Sequence, residues 1–268
     1  MKRLHNVLIG ADIEMFLRDR TTQEIVSAEG YIKGSKHDPF VFDPLNKYFS
    51  TSLDNVLAEV TIPPVTNVDD FVAHITKCVN FVNATIPGHL CTVPLPAAIV
   101  DDKYLQTENA QTFGCDPDYN VWLREQNARP EAPNKNLRSA GGHIHIGYDN
   151  SEKLGTPVAE DLIKSMDLYI GVPSVLQEPD NDRKLLYGKA GAFRFKPYGV
   201  EYRTVSNYYL MSPDLMRWAY NNTKKAVDMV DDEFTITKSM GTLIQKAINT
   251  NDKKLAEKLV KKYKIELA

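Results

Sequence analysis

Apolar and polar residues alternate with a period of two in a series of short stretches, and each alternation predicts a half-buried strand. In the first, from about Val7 to Arg18, Asp12, Glu14 and Phe16 fall on one face while Ile13, Met15 and Leu17 fall on the other. The run from Asn55 to Ile62 is stopped by Pro63-Pro64 and groups Asn55, Leu57 and Glu59. Gly141 to Tyr148 places His143 and His145 on one face and Ile144 and Ile146 on the other. Ala192 to Lys196 and Val200 to Val205 flank Pro197-Tyr198-Gly199 and predict a hairpin, with Arg194 on one arm and Glu201 and Arg203 on the other.

Helical spacing accounts for much of the remainder. Asn67 opens a helix with Asp69 and Asp70 in its first turn and Phe71, Ile75, Val79 and Val82 along one stripe. Thr156 and Pro157 are read as the N-cap and first residue of another, and Ser212-Pro213-Asp214 starts a third that runs toward Asp232. The Lys-rich segment 251–268 reads as a final amphipathic helix with Leu255, Leu259 and Tyr263 inward. Residues 105–140 are rich in Asn, Asp, Pro, Gln and Arg, which predicts a long loop system acting as a lid or substrate loop. No linker or repeat divides residues 1–268, so a single domain is expected. Strands joined by hairpins or long excursions, with helices grouped between them, predict an α+β fold with a curved, largely antiparallel sheet.

Composition narrows the partners. The chain has 268 residues, 43% hydrophobic and 25% charged, and a net charge of -3, which offers no bulk basic field for nucleic acid or a membrane surface. Asp12 and Glu14 interrupt the apolar amino-terminal run, and no stretch reaches the roughly 20 apolar residues of a spanning helix. A cytoplasmic protein is expected. Cys78, Cys91 and Cys115 form no C-x-x-C pair and are read as small buried hydrophobes in a reducing compartment. The Lys residues of the tail are read as a solvated helix face.

The predicted strands share one feature: Asp12 with Glu14, Glu59, His143 with His145, and Glu201 with Arg203 each occupy a single strand face. Carboxylates gathered on one sheet face need cations, and their hard oxygens suit Mg²⁺ or Mn²⁺. Arg194 and Arg203 beside such a cluster point to an anion, with phosphate the best match to a planar guanidinium. Metal and arginine together are the components of phosphoryl transfer. Glycines flank these strands at Gly10, Gly141, Gly142, Gly147 and Gly199, as expected where a ligand or backbone approaches closely. Tyr187-Gly188-Lys189-Ala190-Gly191 departs from the P-loop pattern, and Lys189 is left between a phosphate contact and a turn into the hairpin.

In order along the chain, GADIEMFL, NVLAEVTIPP, GGHIHIG and RFKPYGVEYRTVSN resemble the catalytic core of glutamine synthetases and glutamate-cysteine ligases. With FGCDPDYNVW and LLYGKAGAFR, the series is most similar to the phage-type carboxylate-amine ligases, the COOH·NH2 ligase type 2 group. The resemblance spans about Asn6 to Tyr209 and implies amide-bond formation driven by ATP through an acyl phosphate, with Mg²⁺ or Mn²⁺ bound. It implies Asp12, Glu14, Glu59 and Glu201 as metal ligands, with Asp12 standing where glutamate is more usual. Either His143 or His145 touches metal or nucleotide phosphate. Arg203 is implied to hold the transferred phosphoryl group and Arg194 the substrate carboxylate or phosphate. Asp116, Asp118 and Glu125 are candidates to accept the proton of the attacking amine. The implied partners are small-molecule or peptide carboxylates and amines, in a host cytoplasm if phage-encoded, and a homo-oligomer stays open. The competing readings are a metal-dependent hydrolase built on the His-x-His pair and acidic cluster, and a degenerate binding module of the same fold.

Overall fold

The computed structural model describes residues 4–111, 118–128, 134–179, 182–232 and 234–268. The strands around the site are β1 (Leu8–Asp19), β2 (Ser50–Asp54), β3 (Leu57–Val65), β4 (Tyr119–Asn120), β5 (Glu125–Gln126), β6 (Gly142–Gly147), β7 (Ala192–Lys196) and β8 (Gly199–Tyr202). They lie side by side in the order β5-β4-β7-β8-β6-β1-β3-β2, and the sheet continues past β2 into two short strands, Gly34–Ser35 and Asp38–Val41. Neighbours pair antiparallel except where Gly34–Ser35 runs parallel to β2. The predicted α+β class with a largely antiparallel sheet is the observed one.

One face of the sheet is apolar. Ile9, Ala11, Ile13, Met15 and Leu17 of β1 point into the main core with Ala58, Val60 and Ile62 of β3. Helix α1 (Val68–Thr85) covers them through Phe71, Ile75, Cys78 and Val82. Its Asn67 cap accepts the Asp70 N–H at 2.9 Å, a bond worth about 1 kcal/mol to a helix start. Helix α2 (Ser151–Met166) packs on β8, and α3 (Pro213–Asp231) lies against both α1 and α2. Within α2, Gly155 has non-helical angles (φ 62, ψ -163), so regular helix resumes at Thr156 and Pro157 as their sequence predicts. Helices α4 (Lys238–Asn249) and α5 (Lys253–Tyr263) pack together over a separate cluster that includes Leu168, Ile244 and Leu259. Of the residues expected inward on α5, Leu259 is buried, and Leu255 and Tyr263 are partly so.

Several expectations need correction. Pro63-Pro64 does not stop β3, which continues to Val65. Between Ile9↔Val65 and Ala11↔Ile62 the register slips, and the prolines fall at that irregularity, where the ladder makes less demand on their missing N–H groups. Asn55 belongs to no strand: with φ 58 it forms the turn between β2 and β3. The polar sequence STSLD of β2 and the helix α4 were not anticipated from the pattern. The described part of 105–140 is not featureless loop but includes a short helix (Glu108–Gln111), the β4–β5 pair and a strand (Leu137–Ser139) paired with Ala97–Ile99. No helix among the described residues is long and apolar enough to cross a membrane. Cys78 is buried and its thiol is pushed up to about 12 by that burial, as fits an inert core residue; Cys115 lies outside the described residues.

Candidate active site

The other face of the sheet collects the ionisable residues, and register explains how. Arg194 pairs with Glu201, Glu201 with His145, and His145 with Gly10 across β7, β8, β6 and β1. One step along, His143 faces Asp12, and Asp12 faces Thr61. One step further, Glu14 faces Glu59, which in turn faces Ser52 of β2. Every site residue predicted from strand alternation is therefore on one wet face. Lys189 is the exception: its side chain is exposed, and only its backbone carbonyl takes part locally, accepting the Thr204 hydroxyl at 2.9 Å.

Glu14 accepts the Gly141 N–H at 2.6 Å, and its own N–H donates to the Gly141 carbonyl. A Cβ at Gly141 would lie 2.3 Å from His143 Nε2, and one at Gly142 would lie 2.5 Å from the Ser206 carbonyl oxygen. The paired glycines thus admit the protein's own imidazole and backbone, and Gly141 also lines the cleft. Carboxylate oxygens of Glu14, Glu59 and Asp54 all lie within 4.8 Å of one another. Burial, reinforced by repulsion from Asp54, pushes Glu14 up to about 7 despite the Gly141 bond. Glu59 is raised well above the carboxylate range by burial and by Asp12, Asp54 and Glu14. Asp54 is raised chiefly by burial. Three acids held so close that none ionises easily form a site that a hard divalent cation would relieve, and the all-oxygen donor set fits Mg²⁺ or Mn²⁺.

The two histidines separate. His143 is buried, with Nδ1 3.3 Å from an Arg203 nitrogen and 3.6 Å from Glu201, and burial with the Arg203 charge holds it well below the usual imidazole value. His145 contacts Asp12 at 3.0 Å through Nε2 and the Tyr198 hydroxyl at 2.5 Å through Nδ1. Burial alone would raise Asp12, but His145 and the Thr61 hydroxyl outweigh it and hold the acid low. Glu201 is likewise buried yet depressed, because Arg203, the histidines and Lys196 surround it. Arg203 pairs directly with Glu201, and Lys196 Nζ lies 2.8 Å away. Glu201 therefore meets cations of its own chain, and Arg203 is fixed in place; on its other side Arg203 Nε stands 3.5 Å from Asp118. Of the proposed proton acceptors, Asp118 reaches the site, Glu125 is exposed on β5, and Asp116 lies outside the described residues.

Three lobes follow one another across this face. A lobe of about 370 Å³ has apolar walls from Leu8, Ile62 and Pro64 and aromatic ones from Tyr48 and Tyr198, with Gly10 and Gly147 also lining it. An acidic lobe of about 270 Å³ holds Asp12, Glu14, Asp54 and Glu59 together with Lys36, Arg194 and Lys196. A narrow lobe of about 50 Å³ is lined by Asn55, Asp118 and Ser139. Glu14, Asp54, His143 and Arg203 line both of the last two and stand at their junction. Sequence reasoning missed Asp54, Lys36 and Lys196. Lys196 follows Arg194 at the same two-residue spacing, which was a usable signal. Lys36 sits in a turn with no comparable pattern.

A family model described as Phage phiEco32-like COOH.NH2 ligase-type 2 matches residues 132–268, half of the chain, and the protein belongs to that family. His143, His145, Arg194, Glu201 and Arg203 fall inside the match. No curated protein matches. Among solved structures, the chain is similar to a bifunctional glutathione synthetase from Pasteurella multocida, with a TM-score of 0.46 at 9% identity over 96% of this chain and 49% of that one. A glutamine synthetase from Plasmodium falciparum gives 0.36 at 11% identity over 82% and 52%. A protein described as a novel glutamine synthase homolog gives 0.39 at 12% over 95% and 63%. The chain thus spans about half the length of the first two.

Proposed function

We propose that this chain is an ATP-dependent carboxylate-amine ligase that activates its acid as an acyl phosphate. The observation that carries the reading is the convergence of Glu14, Asp54 and Glu59 in a cleft that also holds Arg194 and Arg203. Family membership supports the same reaction class.

Glu14, Asp54 and Glu59, with Asp12 beside them, would hold Mg²⁺ or Mn²⁺, which when bound supplies neutralisation of the polyphosphate. The apolar lobe accepts the nucleoside: Gly10 and Gly147 carry no side chain into it, and Tyr48 and Tyr198 provide flat walls. Lys36, beside the strand of Asp54, and Arg194 and Lys196, across the sheet from it, bind phosphate oxygens in the acidic lobe. Arg203, anchored by Glu201, stands at the junction with the third lobe and stabilises charge on the phosphoryl group as a carboxylate oxygen attacks it and ADP departs. The amine nitrogen then attacks the acyl carbon, phosphate leaves, and Asp118 takes the nitrogen's proton.

The test is phosphate release from ATP with Mg²⁺ or Mn²⁺ while pools of carboxylates and amines are screened. Turnover that depends on all three, and is lost in Glu14→Gln and Arg203→Ala, is the expected result. Turnover without nucleotide would identify a hydrolase instead, and nucleotide binding without any turnover a binding module.

A further inference from the structure

We infer that Asp167 is a positioning residue that holds two walls of the cleft together from behind. It is fully buried, on the opposite side of β8 from the site. Along β8 and just beyond it, Glu201 and Arg203 face the cleft, and the intervening Tyr202 and following Thr204 face Asp167. The Tyr202 hydroxyl donates to Asp167 Oδ1 at 2.8 Å, and the Thr204 hydroxyl lies 3.3 Å from the same oxygen. The second carboxylate oxygen accepts the indole N–H of Trp122 at 2.6 Å.

Trp122 belongs to the turn between β4 and β5, the segment that brings Asp118 to within 3.5 Å of Arg203. Its ring is seated where side chains are missing: a Cβ at Gly191 or at Gly241 would each lie 2.5 Å from an indole carbon. Tyr202 reaches Asp167 past another glycine, since a Cβ at Gly171 would lie 2.7 Å from its hydroxyl. Asp167 itself opens a π-helical turn, Asp167–Gly171, a distortion that aims the acid at both partners. Within the β4–β5 segment, Asn120 accepts the Trp122 N–H at 3.0 Å, and Asn127 donates to Asp118 at 2.7 Å. A continuous set of bonds therefore runs from Asp167 through Trp122 to Asp118, and a second from Asp167 through Tyr202 and Thr204 to the strand of Arg203.

The kinetic arm of the test rests on the ligase reading, and the exchange arm does not. Trp122→Phe, which keeps the ring and deletes the N–H, and Asp167→Asn are compared with wild type as full-length chains. Amide hydrogen exchange over 118–127 is expected to accelerate at least tenfold in both variants while α3 keeps its wild-type rates. For phosphate release, kcat is expected to fall at least tenfold with KM for MgATP within twofold of wild type. Unchanged exchange over 118–127, equal acceleration throughout the chain, or a raised KM with kcat preserved would each overturn the inference. If wild type releases no phosphate with any acid and amine, the ligase reading fails, and the exchange result alone decides for or against the attachment.

Discussion

Glu14 and Glu59 oppose each other directly across β1 and β3, two acids in register on a pair of strands where such repulsion costs stability. Under the proposed function, a cation between them and Asp54 relieves that repulsion. In metal-free buffer Glu59→Gln is expected to raise stability by about 1 kcal/mol, the upper end for relieving a like-charged cross-strand pair. Wild type is expected to gain about 2.7 kcal/mol at a Mg²⁺ concentration a hundredfold above its Kd, and the variant nothing. Thermal unfolding with added Mg²⁺ and then with chelator checks both signs.

Arg203 is bound to the buried Glu201, so its removal acts twice. Arg203→Ala is expected to slow phosphate release by about a hundredfold or more, as for loss of a preorganised charge at the reacting group. It also removes one of the two cationic side chains of Arg203 and Lys196 that pair with the buried Glu201 carboxylate, with a loss of about 2 kcal/mol measurable by urea unfolding. Arg203→Lys is expected to restore part of the stability and little of the rate, because an ammonium cannot reproduce the planar fork.

Gly141→Ala drives a methyl group into His143, at 2.3 Å from its Nε2. The expected cost is about 1–3 kcal/mol, the usual range for overpacking. Because His143 and Glu14 both touch Gly141, Mg²⁺ binding measured by calorimetry should weaken with it.

Asp167 gives the stability curve a defined slope. Burial raises its pKa from 3.8 to about 6, against the hydrogen bonds of Trp122, Gly191, Tyr202 and Thr204. The folded chain therefore holds this proton more tightly than the unfolded one. Its contribution is most favourable below about pH 4 and is lost as pH rises to about 6, a change of about 3 kcal/mol. Wild type minus Asp167→Asn, measured by urea unfolding between pH 4 and 7, should decline with pH by that order; a flat difference contradicts the assignment.

Much of the site was legible because strand alternation is a strong constraint: Asp12 with Glu14 and His143 with His145 could share a face only one way. The pattern could not say which strands are neighbours, so the pairing of Glu14 with Glu59 had to come from three dimensions. Asp54 escaped because β2 is short and polar on both sides of Leu53, leaving no apolar rhythm to reveal a strand. Asn55 misled for the opposite reason: it sits in phase with Leu57 and Glu59 but occupies a left-handed turn that Asn tolerates. His143 and His145 were indistinguishable by spacing, and only packing against Arg203 or Tyr198 separates them.

The slipped register at Pro63-Pro64 also sets a length constraint. Ile62 and Val65 both point into the core although they stand three positions apart, which strict alternation forbids; the extra residue between them absorbs the mismatch. Removing Pro63 or Pro64 would leave Ile62 and Val65 two positions apart, in strict alternation and in step with Ala11 and Ile9, whereas an inserted residue would enlarge the bulge. Single-residue insertions should therefore be tolerated around the exposed Leu45 and poorly tolerated at 63–64, although both segments look like proline-containing connections in the bare sequence.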